Sequence, residues 1–274
     1  MSLIRVDAEK CIEDGLCAAE CPLGIIRLEQ FQEKRLPTCR AAAACIECGH
    51  CVAVCPTGAL SLTTMASGDC PPLRPEWIPD LDRTEHFLRA RRSIRKYRSR
   101  SVSAETLTRL IEIARFAPSG HNVQPVNWMV VYESTMVEHL TGLVVEWMRS
   151  MIRENPAAAA AMRLDRLVDK WDKGDDIICR QAPHVIVTHA PREERTAPAA
   201  CTIALAYLEL AALSNGLGTC WAGWVQTAAV LWPPLQAALN MPEGHRSYGA
   251  MMIGYPDITY YRLPLRKAPP ITWR

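Results

Sequence analysis

Charge of one sign is missing from this chain. Its 31 Lys and Arg stand against 29 Asp and Glu, a formal net charge of +2. That balance removes the electrostatic case for nucleic acid or an anionic membrane surface as a partner. No Gly-x-Gly-x-x-Gly follows an apolar strand-like run, which argues against a dinucleotide fold. The opening residues, Met1-Ser2-Leu3-Ile4-Arg5-Val6-Asp7, lack the apolar stretch of a secretory signal. The longest apolar run, Ala197 to Leu213, reads as short of a bilayer span and carries Glu209. The expectation is a soluble, cytoplasmic protein with no membrane contact. At 49% hydrophobic residues the chain has ample material for a core.

Cysteine, by contrast, is plentiful, with 12 residues. Seven of them fall in two runs. Cys45-Ile46-Glu47-Cys48-Gly49-His50-Cys51-Val52-Ala53-Val54-Cys55-Pro56 has the C-x2-C-x2-C-x3-C-P spacing that ligates iron–sulfur clusters. Cys11-Ile12-Glu13-Asp14-Gly15-Leu16-Cys17-Ala18-Ala19-Glu20-Cys21-Pro22 repeats it 34 residues earlier, with Asp14 in place of the second cysteine. Zinc would want two pairs of ligands rather than two threes with a distant Cys-Pro. A disulfide framework would need an oxidising compartment, to which nothing here points.

The runs resemble those of two-cluster bacterial ferredoxins, over roughly the first 65 residues. In that pattern the cysteine before proline ligates the other cluster. One cluster is then held by Cys11, Asp14, Cys17 and Cys55, and the other, a [4Fe-4S], by Cys45, Cys48, Cys51 and Cys21. Asp14 leaves two readings open: a carboxylate ligand to a [4Fe-4S] cluster, or an empty corner beside a [3Fe-4S] cluster. Cys39, Cys70, Cys179, Cys201 and Cys220 show no ligand spacing and read as reduced thiols.

Along the chain, residues 1–66 form the cluster domain. Ile25–Leu28 and Ala59–Leu62 read as short strands, and Arg27 to Arg40 as a hairpin arm or a loop. Residues 67–82, with Pro71, Pro72, Pro75 and Pro79, form a breaker-rich linker. Residues 83–274 make the second domain. Thr84 reads as the cap of a helix from Glu85, and Ser103 as the cap of a helix burying Leu107, Leu110, Ile111 and Ala114. Strands are expected at 127–132, 184–189, 219–224 and 248–253. Helices are expected within 134–178, at 196–214, where the apolar helix should be central or at a subunit interface, and at 231–239. Strands and helices mix without a βαβ beat, so the fold class is α+β.

From Arg91 to the C-terminus the sequence resembles the nitroreductase family. The resemblance rests on Arg91-Arg92-Ser93-Ile94-Arg95, Ala117-Pro118-Ser119-Gly120-His121-Asn122-Val123-Gln124-Pro125, Gly216-Leu217-Gly218-Thr219-Cys220-Trp221, and Gly254-Tyr255-Pro256 with Arg262, Arg266 and Lys267. It implies a mixed central sheet with helices, an entwined homodimer, and FMN bound between subunits. By that resemblance Arg91, Arg92, Arg266 and Lys267 grip the phosphate, where bidentate, permanently charged donors suit a dianion. Ser93 bonds the ribityl chain and Arg95 lies near the flavin N1/O2 edge. Ser119 and His121 belong to the flavin loop, with Asn122 and Gln124 at the pyrimidine edge. The Cys220-Trp221-Ala222-Gly223 strand offers backbone N–H groups to N5 and O4. No catalytic side chain is assigned, because the chemistry resides at N5.

The fusion implies an FMN-dependent oxidoreductase fed by two iron–sulfur clusters. Its substrate would be a small electrophile such as a nitroaromatic or a quinone, and its donor a ferredoxin or another redox protein. The alternatives are an electron carrier serving a partner protein, and a reductive dehalogenation on the same fold.

Overall fold

The computed structural model describes residues 3 to 274. It divides into two compact units. The first runs to Pro79 and takes in His121–Val123; the second is Asp80–Gly120 with Gln124–Arg274.

In the first unit the duplicated runs fold alike. Glu13 and Glu47 both have positive φ (62° and 51°), as do Gly15 and Gly49 (72° and 73°). Each glycine opens a four-residue helix, α1 (Leu16–Ala19) and α2 (His50–Ala53). At the second run a Cβ on Gly49 would meet the Met65 thioether at 2.7 Å, which the flexible Met side chain could yield to; the positive φ is what favours glycine there. Two small antiparallel sheets complete the unit. β1 (Ile4–Val6) pairs with β4 (Leu60–Leu62). β2 (Ile26–Phe31) pairs with β3 (Lys34–Cys39), so the segment between the runs is a hairpin. Ile4, Ile26, Val52, Leu60 and Leu62 make a small core with the buried thiols of Cys17 and Cys51.

The proline-rich stretch after β4 holds two single turns, Ser67–Asp69 and Pro75–Trp77. The first is fastened to its own unit: Ser67 Oγ donates to the Gly58 carbonyl at 2.8 Å. The division between units falls late in the stretch read as linker, at Pro79/Asp80.

The second unit opens with α3 (Leu81–Ala90), capped by Asp80 Oδ1, which accepts the Arg83 N–H at 2.8 Å. The helix therefore starts ahead of Glu85, and Asp80 replaces Thr84 as its cap. The Ser103 cap is present: its Oγ accepts the Thr106 N–H at 3.2 Å and opens α4 (Ala104–Ala114). The central sheet has the order β5 (Asn127–Val131), β6 (His184–Pro191), β8 (His245–Gly254), β7 (Gly218–Trp221). All three pairings are antiparallel. Its parallel component is a single bridge between Ser93 and Thr219.

Successive residues of β6 and β8 feed opposite faces, as a period of two requires. Val185, Val187, Ala250 and Met252 pack beneath α5 (Ser134–Glu154), α6 (Pro156–Ala161), α7 (Leu164–Asp172), α9 (Gly223–Leu231) and α10 (Pro233–Leu239). Ile186, Met251 and Ile253 pack against α4 and α8 (Ala197–Ser214). α8 reaches 18 residues and is, among the described residues, the one helix long and apolar enough to cross a membrane. Ala204, Leu205 and Leu208 bury it in the core, which explains its composition. The strand read at 219–224 ends at Trp221, and Gly223 opens α9, a helix the sequence reading did not include.

Two buried histidines make this unit sensitive to acid. His184 Nε2 accepts the Val102 N–H at 2.9 Å, and its Nδ1 lies 2.6 Å from the Tyr132 carbonyl. The ring is thus neutral, with its proton on Nδ1. Burial lowers its pKa below 6.5, with the Tyr132 carbonyl opposing. His189 is lowered as well, by burial and then by His245. Both bind a proton more readily when unfolded. Their contribution to stability is present above the unfolded value and is lost as pH falls through the folded one. The melting temperature of the second unit is expected to drop by a few degrees between about pH 7.5 and 5.5. An unchanged melting temperature would count against this account.

Candidate cofactor sites

In the first unit the second cysteine run lines a pocket, the second cup, and the charges of Asp14, Cys11 and Cys55 bear on Cys17 at the first run, the first cup. Cys21, Cys45, Cys48 and Cys51 line one pocket, walled by Ile4, Ile25, Ile26 and Leu62. Burial pushes the Cys51 thiol up to about 11, and the charge of Cys48, then those of Cys21 and Cys45, add to it. Cys17 is raised too, by burial first, with Asp14, Cys11 and Cys55 adding to it. The proline-linked thiols thus face across: Cys21 stands with the second run and Cys55 with the first. Among the described residues no three His, Cys, Asp or Glu side chains are grouped for a single metal ion. The thiols surround a volume, and their donor set suits the soft iron of a cluster. Backbone donors already point at the sulfurs. The Ala59 N–H reaches Cys55 Sγ at 3.2 Å and the Glu47 N–H reaches Cys45 Sγ at 3.4 Å. Asp14 Oδ1 accepts the Leu16 N–H at 3.1 Å across Gly15, which leaves Oδ2 for any other partner.

The second unit carries an arginine groove. The segment after α3 runs beside β7: Ile94 N–H donates to the Thr219 carbonyl at 2.8 Å. The approach is so close that a Cβ on Gly218 would meet Ile94 Cγ1 at 2.4 Å. Arg91, Arg92, Ser93 and Arg95 thereby line one groove together with Arg262 and Arg266 of the C-terminal tail. Arg91 is set by a partner 118 residues away: its Nη1 bonds Glu209 Oε1 at 3.0 Å, and Glu209 is buried on α8. Thr219 Oγ1 donates to the same oxygen at 3.4 Å. Arg92 is tied by Nη2 to the Arg89 carbonyl at 2.7 Å, while its buried Nε has no partner. A buried guanidinium donor left unpaired among further arginines fits an anion such as a phosphate.

Other residues singled out from the sequence lie elsewhere. Lys267 is not among those lining the groove. Ser119 Oγ accepts the Gln124 N–H at 2.9 Å and closes the 119–124 loop, where His121, Asn122 and Gln124 all have positive φ. His121 and Asn122 group with the first unit. There Asn122 Nδ2 donates to the carbonyls of Ile46 and Glu47 at 3.0 and 3.2 Å. Cys220 is buried, and burial raises its pKa, opposed by Arg95 and then Arg180. The Ala222 N–H bonds the Ala250 carbonyl at 2.8 Å, so it is not free to serve a ligand. The sequence reading left Glu209 out of the site, although it had one signal, a lone acid in an apolar helix.

Comparison with known proteins agrees with both halves. The "4Fe-4S dicluster domain" profile matches residues 10–60. The nitroreductase family profile matches residues 88–255, more than half of the chain. An iodotyrosine deiodinase of Thermotoga neapolitana is 23% identical over 167 residues, covering 61% of this chain and 85% of that protein. The crystal structure of a nitroreductase with bound FMN from Bacteroides fragilis superposes with a TM-score of 0.58 at 22% identity, covering 69% of this chain and 96% of the other. A nitroreductase with bound FMN from Desulfitobacterium hafniense gives a TM-score of 0.55 at 22% identity, covering 69% and 96%. With two thiol cups preceding an arginine groove on an antiparallel sheet, the chain belongs to the nitroreductase family, as an FMN-dependent oxidoreductase with a 4Fe-4S dicluster domain ahead of it.

Proposed function

We propose that this chain is an FMN-dependent oxidoreductase fed one electron at a time through two iron–sulfur clusters, and that it reduces a small electrophile such as a nitroaromatic or a quinone. The observation that carries the reading is the presence in one chain of two duplicated cysteine runs, the second lining a pocket with Cys21, and an arginine groove with an unpaired buried donor. Bound FMN would supply the exchange between one-electron and two-electron chemistry. Arg92 and Arg266 would grip its phosphate with Arg91, which Glu209 orients, and Lys267 would add charge from the tail. Ser93 would hold the ribityl chain and Arg95 the N1/O2 edge. Because the Asn122 Nδ2 donors are spent on Ile46 and Glu47, Gln124 would supply the donor to the pyrimidine edge, with Asn122 Oδ1 left to accept.

A homodimer is the proposed working form. The tail leaves Tyr261, Leu265 and Trp273 each at least 86% exposed, apolar side chains that a partner subunit would cover. In a site shared by two chains, the loop at Ser119–Gln124 and the arginine groove would meet across the interface.

The resemblance to an iodotyrosine deiodinase favours one second reading, reductive removal of a halogen from an aromatic substrate. Nitroaromatic, quinone and haloaromatic acceptors assayed side by side separate the two.

The direct test of the proposal is iron, acid-labile sulfide and flavin per chain on anaerobically purified protein. About eight irons and one FMN are expected if Asp14 is a ligand, and about seven irons if its corner is empty. In the second case Asp14→Cys should restore the eighth. Protein that takes up no flavin on reconstitution would end the enzyme reading.

A further inference from the structure

The β2–β3 hairpin folds back onto the first cysteine run. Lys34 Nζ donates to the Ala8 carbonyl at 2.6 Å and to the Cys11 carbonyl at 3.4 Å. The next residue locks the contact, since the Arg35 N–H donates to Glu13 Oε2 at 2.9 Å. Lys34 thus spends its donors on carbonyl oxygens, and one of them belongs to a residue of the first cup. The repeat does not copy this arrangement. The positions matching Ala8 and Cys11 are Ala42 and Cys45, and among the described residues no cation bonds their carbonyls. The group lying against the second run at Gly49 is the Met65 thioether.

We propose that Lys34 is a potential-setting residue for the first cup, which makes the two clusters unequal by an added charge as well as by the Asp14 substitution. The inference rests on the reading that the cups hold iron–sulfur clusters. One-electron reduction places one more negative charge in a cup. A fixed ammonium held at the backbone of Cys11 favours that charge and raises the reduction potential there. The second cup, whose pocket walls are Ile4, Ile25, Ile26 and Leu62, receives no such help. Glu13 acts with the opposite sign: its carboxylate lies one residue from Asp14 and disfavours added electrons, while it fastens the same hairpin.

The test is a mediator titration with dithionite on the anaerobic full-length protein, with both clusters followed by electron paramagnetic resonance. Lys34→Gln should lower the midpoint of the first cluster by about tenfold in its reduction equilibrium, about 59 mV for a one-electron couple. The second cluster should not move and serves as the internal control. Lys34→Arg should stay near the parent value, and Glu13→Gln should move the first midpoint upward. An unchanged first midpoint in Lys34→Gln, with iron retained, overturns the inference. A downward shift in both Lys34→Gln and Glu13→Gln also overturns it, because hairpin undocking rather than charge would then be the cause. If Lys34→Gln fails to load the first cup, Glu13→Gln decides: a rise supports the inference and no shift overturns it. Failure of the underlying cluster reading looks different, since the parent protein would then lack iron.

Discussion

Cys48→Ala protein, supplied with a one-electron donor such as reduced viologen, is expected to lose acceptor turnover to background while its bound flavin is still bleached directly by dithionite. Cys48 lines the second cup and its charge weighs on Cys51, so it stands among the four thiols. Removing it leaves three ligands around a cluster that needs four, and holding the cluster also holds the small first unit together. The second unit has its own sheet and its own cores, so flavin content should survive. Flavin content and helical circular dichroism, measured on the same sample, separate a broken electron path from a general loss of fold. Cys48→Ser, which keeps a poorer oxygen ligand, should retain partial turnover. Full turnover in Cys48→Ala would rule out the feeding route through the clusters.

Arg92→Met should weaken FMN binding roughly 10- to 150-fold, from about 1.5–3 kcal/mol for a lost hydrogen bond to a charged group. The guanidinium is already placed, with Nη2 on the Arg89 carbonyl at the end of α3 and its buried Nε unpaired. A phosphate would complete it at little cost in order. Arg92→Lys keeps the charge but loses the planar fork and should fall between parent and Met variant. Equilibrium dialysis of free flavin gives the dissociation constants. A change under about threefold for Arg92→Met would move the phosphate elsewhere in the groove.

The parts of this molecule legible in the sequence are those specified locally. Ser103 announces α4 because a cap acts within three residues. The two cysteine runs announce their shared shape because a glycine and a fixed ligand spacing act within a dozen. α9 escaped notice because Gly223-Trp-Val-Gln-Thr carries no capping side chain and begins with residues that suit a strand. α3 was started late because its cap, Asp80, stands directly behind Pro79 in a stretch that reads as linker. The site divides in the same way. Arg91 to Arg95 are adjacent in sequence and share one groove. The Glu209 that sets Arg91 comes from a distant helix, and the Asn122 amide is drawn to the Ile46 and Glu47 carbonyls, contacts that no spacing rule encodes.

The exchange of thiols between the cysteine runs bears on how the protein is made. The charge of Cys55 bears on Cys17, and Cys21 lines one pocket with Cys51. A nascent chain that has emerged only past Cys21 therefore has neither cup closed; both wait for the second run and become complete together. Loading of either cup should therefore wait until the second run has emerged, and oxidative loss of one proline-linked thiol should strip a cluster from the half of the repeat that was not attacked.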